Sequence, residues 1–186
     1  MSNARNLARL IVDSGGDVEV SSLGNVPPSN DASALTTGTL GTARLPAGSV
    51  LQVVQVNATT GQATSSTSYV DATGLSLNIT PSSASSKILV MAHLEAGIGV
   101  NGLNTHANFR VFRDSAITVV TQSMRNYDYG NSGVYSAGSI AMTVLDAPNT
   151  TNPVNYKVQF KKVAGDFMYM CGENGWSTLT VMEIAG

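Results

Sequence analysis

The sequence predicts an all-β protein: an antiparallel β-sandwich, a jelly-roll-like knob over residues 49–186, behind an extended N-terminal arm over residues 1–48 that contains one short helix. Three observations predict it. From Ser49 onward, short runs rich in β-branched, aromatic and aliphatic residues recur with turn signals between them. Before that point no apolar period is sustained, and Gly15-Gly16, Pro27-Pro28 and Ser29-Asn30-Asp31 mark loops. Charged residues make up 12% of the chain, about half of the roughly 25% usual in soluble domains. Ser, Thr, Asn and Gly take their place, and such neutral polar side chains suit pleated sheets and surfaces that pack against neighbouring subunits without stranding a charge.

Within the arm, the first dozen residues read as a helix with Ser2 or Asn3 as N-cap, Leu7, Leu10 and Ile11 on one face, and an end near Gly15-Gly16. A helix that short is marginal alone in water, so a partner has to hold it. Leu35, Leu40 and Leu45 then recur every five residues, a spacing that fits neither a helix nor a strand. Extended chain with glycine turns fits better, and three copies wound about one axis would bury those leucines against each other.

The knob is read as strands at Val50 to Val56, Leu75 to Ile79, Lys87 to Leu94, Ala107 to Arg113, Ile117 to Thr121, Ser139 to Leu145, Tyr156 to Val163, Phe167 to Met170 and Leu179 to Ile184. Tyr156, Val158 and Phe160 alternate with Lys157, Gln159 and Lys161, the pattern of a strand with one wet face. The runs Lys87 to Leu94 and Ser139 to Leu145 are apolar on both faces. Their outer face therefore needs a cover, and with no helix available the expected cover is another copy of the chain, with Met91 and His93 in the contact.

Size, charge and cysteine content exclude several functions. The 186 residues suit one domain plus an appendage. A formal net charge of −2 supplies no positive field for DNA or RNA. The lone Cys171 rules out an internal disulfide and reads as a small buried hydrophobe. No signal peptide or membrane span is expected, which points to assembly in the cytoplasm of the producing cell.

Motifs with chemical potential fail on context. Gly97-Ile-Gly-Val-Asn-Gly102 matches a dinucleotide fingerprint, but Leu103 to Phe112 reads as loop and strand where a phosphate site needs a helix, leaving a glycine-rich β-loop. His93 sits in an apolar run and is expected in the core or an interface; His106 is expected near a loop, where a metal or receptor contact is conceivable. No nucleophile elbow accompanies them. Glu95, Asp114, Asp128, Asp146, Asp166, Glu173 and Glu183 are dispersed and read as solvated turns, so no enzyme, cofactor or metal site is expected. Trp176 is expected in the core. One segment, Asn126 to Tyr135, mixes tyrosines with small polar residues as recognition loops do. Tyr127, Asp128, Tyr129, Asn131 and Tyr135 are its receptor-contact candidates, with a surface glycan as ligand; an ordinary hairpin tip is the alternative.

Several segments resemble a known family. Met1-Ser-Asn-Ala-Arg5-Asn-Leu-Ala8, Val12 to Val20, Ala34 to Leu40 and Ala43-Arg-Leu-Pro46 are similar to head segments of tail-fibre and virion structural proteins of tailed phages of aquatic bacteria, cyanophages among them. Gly48 to Val54, Leu77 to Ser83, Ser86 to Val90 and Ser177 to Ile184 resemble their distal sandwich. The resemblance implies a homotrimer in the virion, attached to a tail or baseplate protein through Arg5, Leu7, Leu10 and Ile11, packed through Leu35, Leu40, Leu45, Met91 and His93, with the knob facing the host. The chain departs from longer fibres in having almost no shaft, which suits a compact baseplate fibre or a capsid decoration protein. Host adhesion and particle cementing both remain open at this point.

Overall fold

A computed structural model describes residues 44–99, 104–114, 117–127, 136–171 and 175–186. The short helix and most of the arm lie outside them. All described residues belong to one compact unit, Gly41–Gly186.

Ten strands run in order: β1 (Val50–Ala58), β2 (Gln62–Thr64), β3 (Val70–Ile79), β4 (Lys87–Gly99), β5 (Asn104–Arg113), β6 (Ile117–Tyr127), β7 (Ser136–Asp146), β8 (Val154–Ala164), β9 (Phe167–Met170) and β10 (Ser177–Ile184). They form two antiparallel sheets. The larger has the order β1-β10-β4-β9-β2 with β7 along the other side of β4, and the smaller has the order β3-β8-β5-β6. The long strand β4 explains the odd order: it pairs with β10 through Lys87 to His93 and with β9 through Ala96 to Gly99, while β7 runs beside it from Ile88 to Ile98. The chain crosses between sheets at β2–β3, β3–β4, β4–β5, β6–β7, β7–β8 and β8–β9, and first strand pairs with last, which is jelly-roll winding.

Period-two patterning selects what faces inward. Leu75, Leu77 and Ile79 of β3, Ile88, Val90, Ala92 and Leu94 of β4, Phe109 and Val111 of β5, Tyr156, Val158 and Phe160 of β8, and Leu179 and Val181 of β10 are all buried between the sheets. The expected alternation of β8 is therefore present, with Lys157 and Lys161 on the outer face. All nine expected strands form, and β2 is added to them.

A polar clamp joins the sheets at one end. Arg113 at the end of β5 donates to Asp146 Oδ2 at the end of β7 across 2.6 Å, and the Tyr156 hydroxyl of β8 donates to the same oxygen, also at 2.6 Å. Burial first, and then the Asp146 carboxylate, push the Tyr156 phenol far above its ordinary value, so it remains a donor. Asp146→Ala would leave Arg113 and Tyr156 facing each other without an acceptor. Because the pair keeps 12% and 13% of its side-chain exposure, the expected loss is about 2 kcal/mol in urea unfolding, with Tyr156→Phe costing about half as much.

Several expectations need correction. Asp146 is a clamp residue and Glu183 is a buried strand residue at 1% exposure, so neither is a solvated turn. Trp176 is 57% exposed, because it precedes β10 outside the sandwich instead of lying on an inward phase. His106 lies within β5, half-buried, not in a loop. Gly97 and Gly99 belong to β4, not to a loop.

Candidate functional site

The outward phase of the larger sheet is the most unusual surface of the described residues. β4 points Ile88, Val90, Ala92 and Leu94 inward, so strand geometry points Leu89, Met91 and His93 outward. Register then aligns a continuous apolar row across four strands: Val53 opposite Met182, Met182 opposite Leu89, and Leu89 opposite Leu145. At about 4.8 Å per strand the row crosses about 14 Å of sheet, from edge strand β1 to edge strand β7. Val53 is 54% and Leu145 56% exposed, and Leu89 and Met182 are half-buried only by their own neighbours. The next rows hold Gln55, Thr180, Met91 and Thr143, then Asn57, Thr178, His93 and Ala141. The three rows carry no carboxylate and no Lys or Arg, only small polar groups and one histidine.

Farther along β4 the outward phase is covered from within the chain. Gly97 pairs with Tyr169 and Gly99 with Phe167, and both rings lie across the glycines. A Cβ at Gly97 would stand 2.1 Å from the Tyr169 ring and one at Gly99 2.3 Å from the Phe167 ring. Here glycine provides room for an aromatic ring, and the apparent phosphate-loop motif has a packing explanation. Gly97→Ala should displace the Tyr169 ring and cost about 2 kcal/mol by thermal unfolding. Gly138→Ala, whose Cβ would meet nothing nearer than Met124 at 3.8 Å, should leave stability within about 0.5 kcal/mol of the original.

Of the residues named from sequence, the structure places Met91 and His93 together on the apolar face, Met91 half-buried and His93 exposed. The core alternative for His93 is thereby excluded. Leu45, half-buried, lies apart from them beside Leu51, Ser82 and Ala185 around a cavity at the start of β1. Tyr127 ends β6, and Asp128, Tyr129, Asn131 and Tyr135 lie on the connection to β7, outside the described residues. Arg5, Leu7, Leu10, Ile11, Leu35 and Leu40 also lie outside them. Val53, Leu89, Leu145 and Met182, the residues that make the row, were not singled out by the sequence reading. Their signal was available: each is apolar on the phase opposite to the core residues beside it.

No protein-family model and no curated protein matches the sequence. Among solved structures the chain is similar to Eiger TNF from S. frugiperda, at 7% identity and a TM-score of 0.37 over 72% of this chain and 93% of that one. It is also similar to the structure of infectious bursal disease virus Gx strain, at 14% identity and a TM-score of 0.37 over 73% of this chain and 32% of that one. A third likeness is to the infectious bursal disease virus VP2 subviral particle, at 15% identity and a TM-score of 0.40 over 73% and 33%. The chain spans about a third of the length of those two viral chains.

Proposed function

We propose that this protein is a non-enzymatic structural component of a phage virion, a trimeric tail or baseplate fibre that attaches by its N-terminal arm and meets the host with its C-terminal knob. The observation that carries the assembly reading is the uncovered row Val53, Met182, Leu89 and Leu145. Monomeric proteins seldom leave a contiguous apolar strip of this kind in water, and a like copy covers it without burying a charge. The threefold number, the virion and the anchoring role of Arg5, Leu7, Leu10 and Ile11 rest on the resemblance of the arm and knob segments to fibre proteins. Leu35, Leu40, Leu45, Met91 and His93 join the packing in this reading, and assembly takes place in the host cytoplasm without cofactor, metal, nucleic acid or membrane insertion.

The same uncovered row also suits a second reading, a capsid decoration that stabilises the particle. Gold-labelled antibody against the knob separates the two on purified virions: label at the tail tip supports the fibre, and label over the head supports the decoration protein. Alanines at Tyr127, Tyr129 and Tyr135 should weaken host adsorption without changing oligomer mass. Unchanged adsorption would remove those tyrosines, with Asp128 and Asn131 between them, as receptor contacts.

A further inference from the structure

The opposite face of the sandwich has the reverse character. Arg110 and Phe112 of β5, Lys157, Gln159 and Lys161 of β8, and Arg125 of β6 all stand on the outer phase of the smaller sheet, away from the inward Phe109, Val111, Val158 and Phe160. Four cations thus share one face of a chain whose net charge is −2. Among the described residues only Lys157 has a carboxylate there, Asp71, at 2.9 Å. Arg110 also lies in the field of Asp71, while Lys161 and Arg125 form no ion pair among the described residues.

Three of the four cations, Arg110, Lys157 and Lys161, are held in place before any ligand arrives. The Arg110 guanidinium lies 3.9 Å from the Tyr69 ring centroid and 4.2 Å from that of Phe112, while Lys161 Nζ lies 4.8 Å from the Tyr69 ring. Arg110 Nε donates to Gln159 Oε1 at 2.8 Å and its Nη1 to Thr118 Oγ1 at 3.0 Å; Gln159 Nε2 in turn donates to Asp71 Oδ1 at 2.5 Å. Partial burial would raise the Asp71 carboxyl, but the Gln159 amide and the Lys157 ammonium outweigh it and hold Asp71 ionised, its charge already committed. A rigid cation costs less entropy to engage than a free one.

We infer that this face binds an acidic polysaccharide, one carrying carboxylate groups along an extended chain. Outward positions along a strand recur about every 7 Å, and neighbouring strands lie about 4.8 Å apart, so the cations form a shallow grid suited to a repeating anion. Asn108, Thr121 and Ser123 stand between the cations and offer hydrogen bonds to hydroxyl groups. Nucleic acid fits less well, because stacking needs open rings and both Tyr69 and Phe112 already carry the Arg110 guanidinium. The face also points away from the apolar row, so assembly through that row leaves it accessible.

The source of such a polymer, a host surface, rests on the proposed function, but binding is tested on the purified full chain. Polygalacturonate is expected to bind in isothermal titration and neutral dextran is not. Lys161→Glu combined with Arg125→Glu should weaken polygalacturonate about tenfold while melting temperature and oligomer mass stay unchanged. If the reversal disturbs folding, Lys161→Gln with Arg125→Gln should still weaken binding severalfold. Equal binding of dextran and polygalacturonate, no binding of either, or undiminished binding by a folded charge variant would overturn the inference. A single-stranded oligonucleotide or anionic vesicles held more tightly than polygalacturonate would overturn it in favour of that ligand. Polygalacturonate binding by a protein absent from virions would sustain the inference and sink the proposed function; a tail-tip protein that ignores polygalacturonate would do the opposite.

Discussion

Leu89→Asp combined with Leu145→Asp is expected to yield a folded single chain of 19.3 kDa in place of an assembled protein. Both side chains lie on the outward phase of the larger sheet, opposite one another on β4 and β7, and neither belongs to the core cluster. The protomer therefore keeps its interior. At a contact between copies, however, each substitution removes a leucine whose full burial contributes about 1.5–3 kcal/mol and inserts a carboxylate without a partner. Repeated in every copy, that exceeds what a contact of ordinary size can absorb. The readouts are mass by light scattering and strand content by circular dichroism. An assembled double variant of unchanged mass would show that the copies meet elsewhere.

Glu183→Ala should be the most destabilising single change of a charged residue, about 3 kcal/mol, or roughly 10 °C in melting temperature. The carboxylate is 1% exposed, and it organises the rim of the sandwich: Oε1 accepts the Ser82 backbone N–H and hydroxyl, each at 2.7 Å, and Oε2 accepts Gln52 Nε2 at 2.6 Å. Alanine would leave those donors facing an empty, water-poor space. The same geometry sets a pH dependence. Burial alone would raise the Glu183 carboxyl, but the Ser82 hydroxyl, the Gln52 amide and the Ser82 N–H outweigh it and hold it below its ordinary 4.5. A depressed carboxylate contributes stability that is fully present above pH 4.5 and is lost as pH falls through the lower folded value. Acid titration of the melting temperature should therefore fall less steeply in Glu183→Gln than in the original protein.

Most of the strand layout was legible because inward and outward phases differ in polarity. Tyr156, Val158 and Phe160 announce their strand against Lys157, Gln159 and Lys161. Legibility failed where one residue serves two ends. β3 begins at Val70, not Leu75, because Gly74 at φ +82° carries a bulge between Asp71 and Ser76 that a glycine in sequence reads as a stop. β4 continues to Gly99 because Tyr169 and Phe167 supply the bulk its glycines lack, a cross-strand pairing invisible along the chain. β2, at three residues, has too few side chains to show a period.

The apolar face was legible as a property of two strands, through Met91 and His93, but not as a row. That needed the register, which brings Val53 and Met182 beside Leu89 from the two ends of the sequence. Glu183 was hidden for a related reason. It occupies an inward phase after Leu179 and Val181, and only the fold brings the Ser82 turn over it.

Light scattering of the unmodified protein, at working concentration and neutral pH, addresses the central claim most directly. Closure of like copies over the outward row, in the threefold number of the proposed fibre, predicts a mass three times the 19.3 kDa chain. A stable, soluble species of 19.3 kDa, with Val53 and Leu145 left in water, would contradict it.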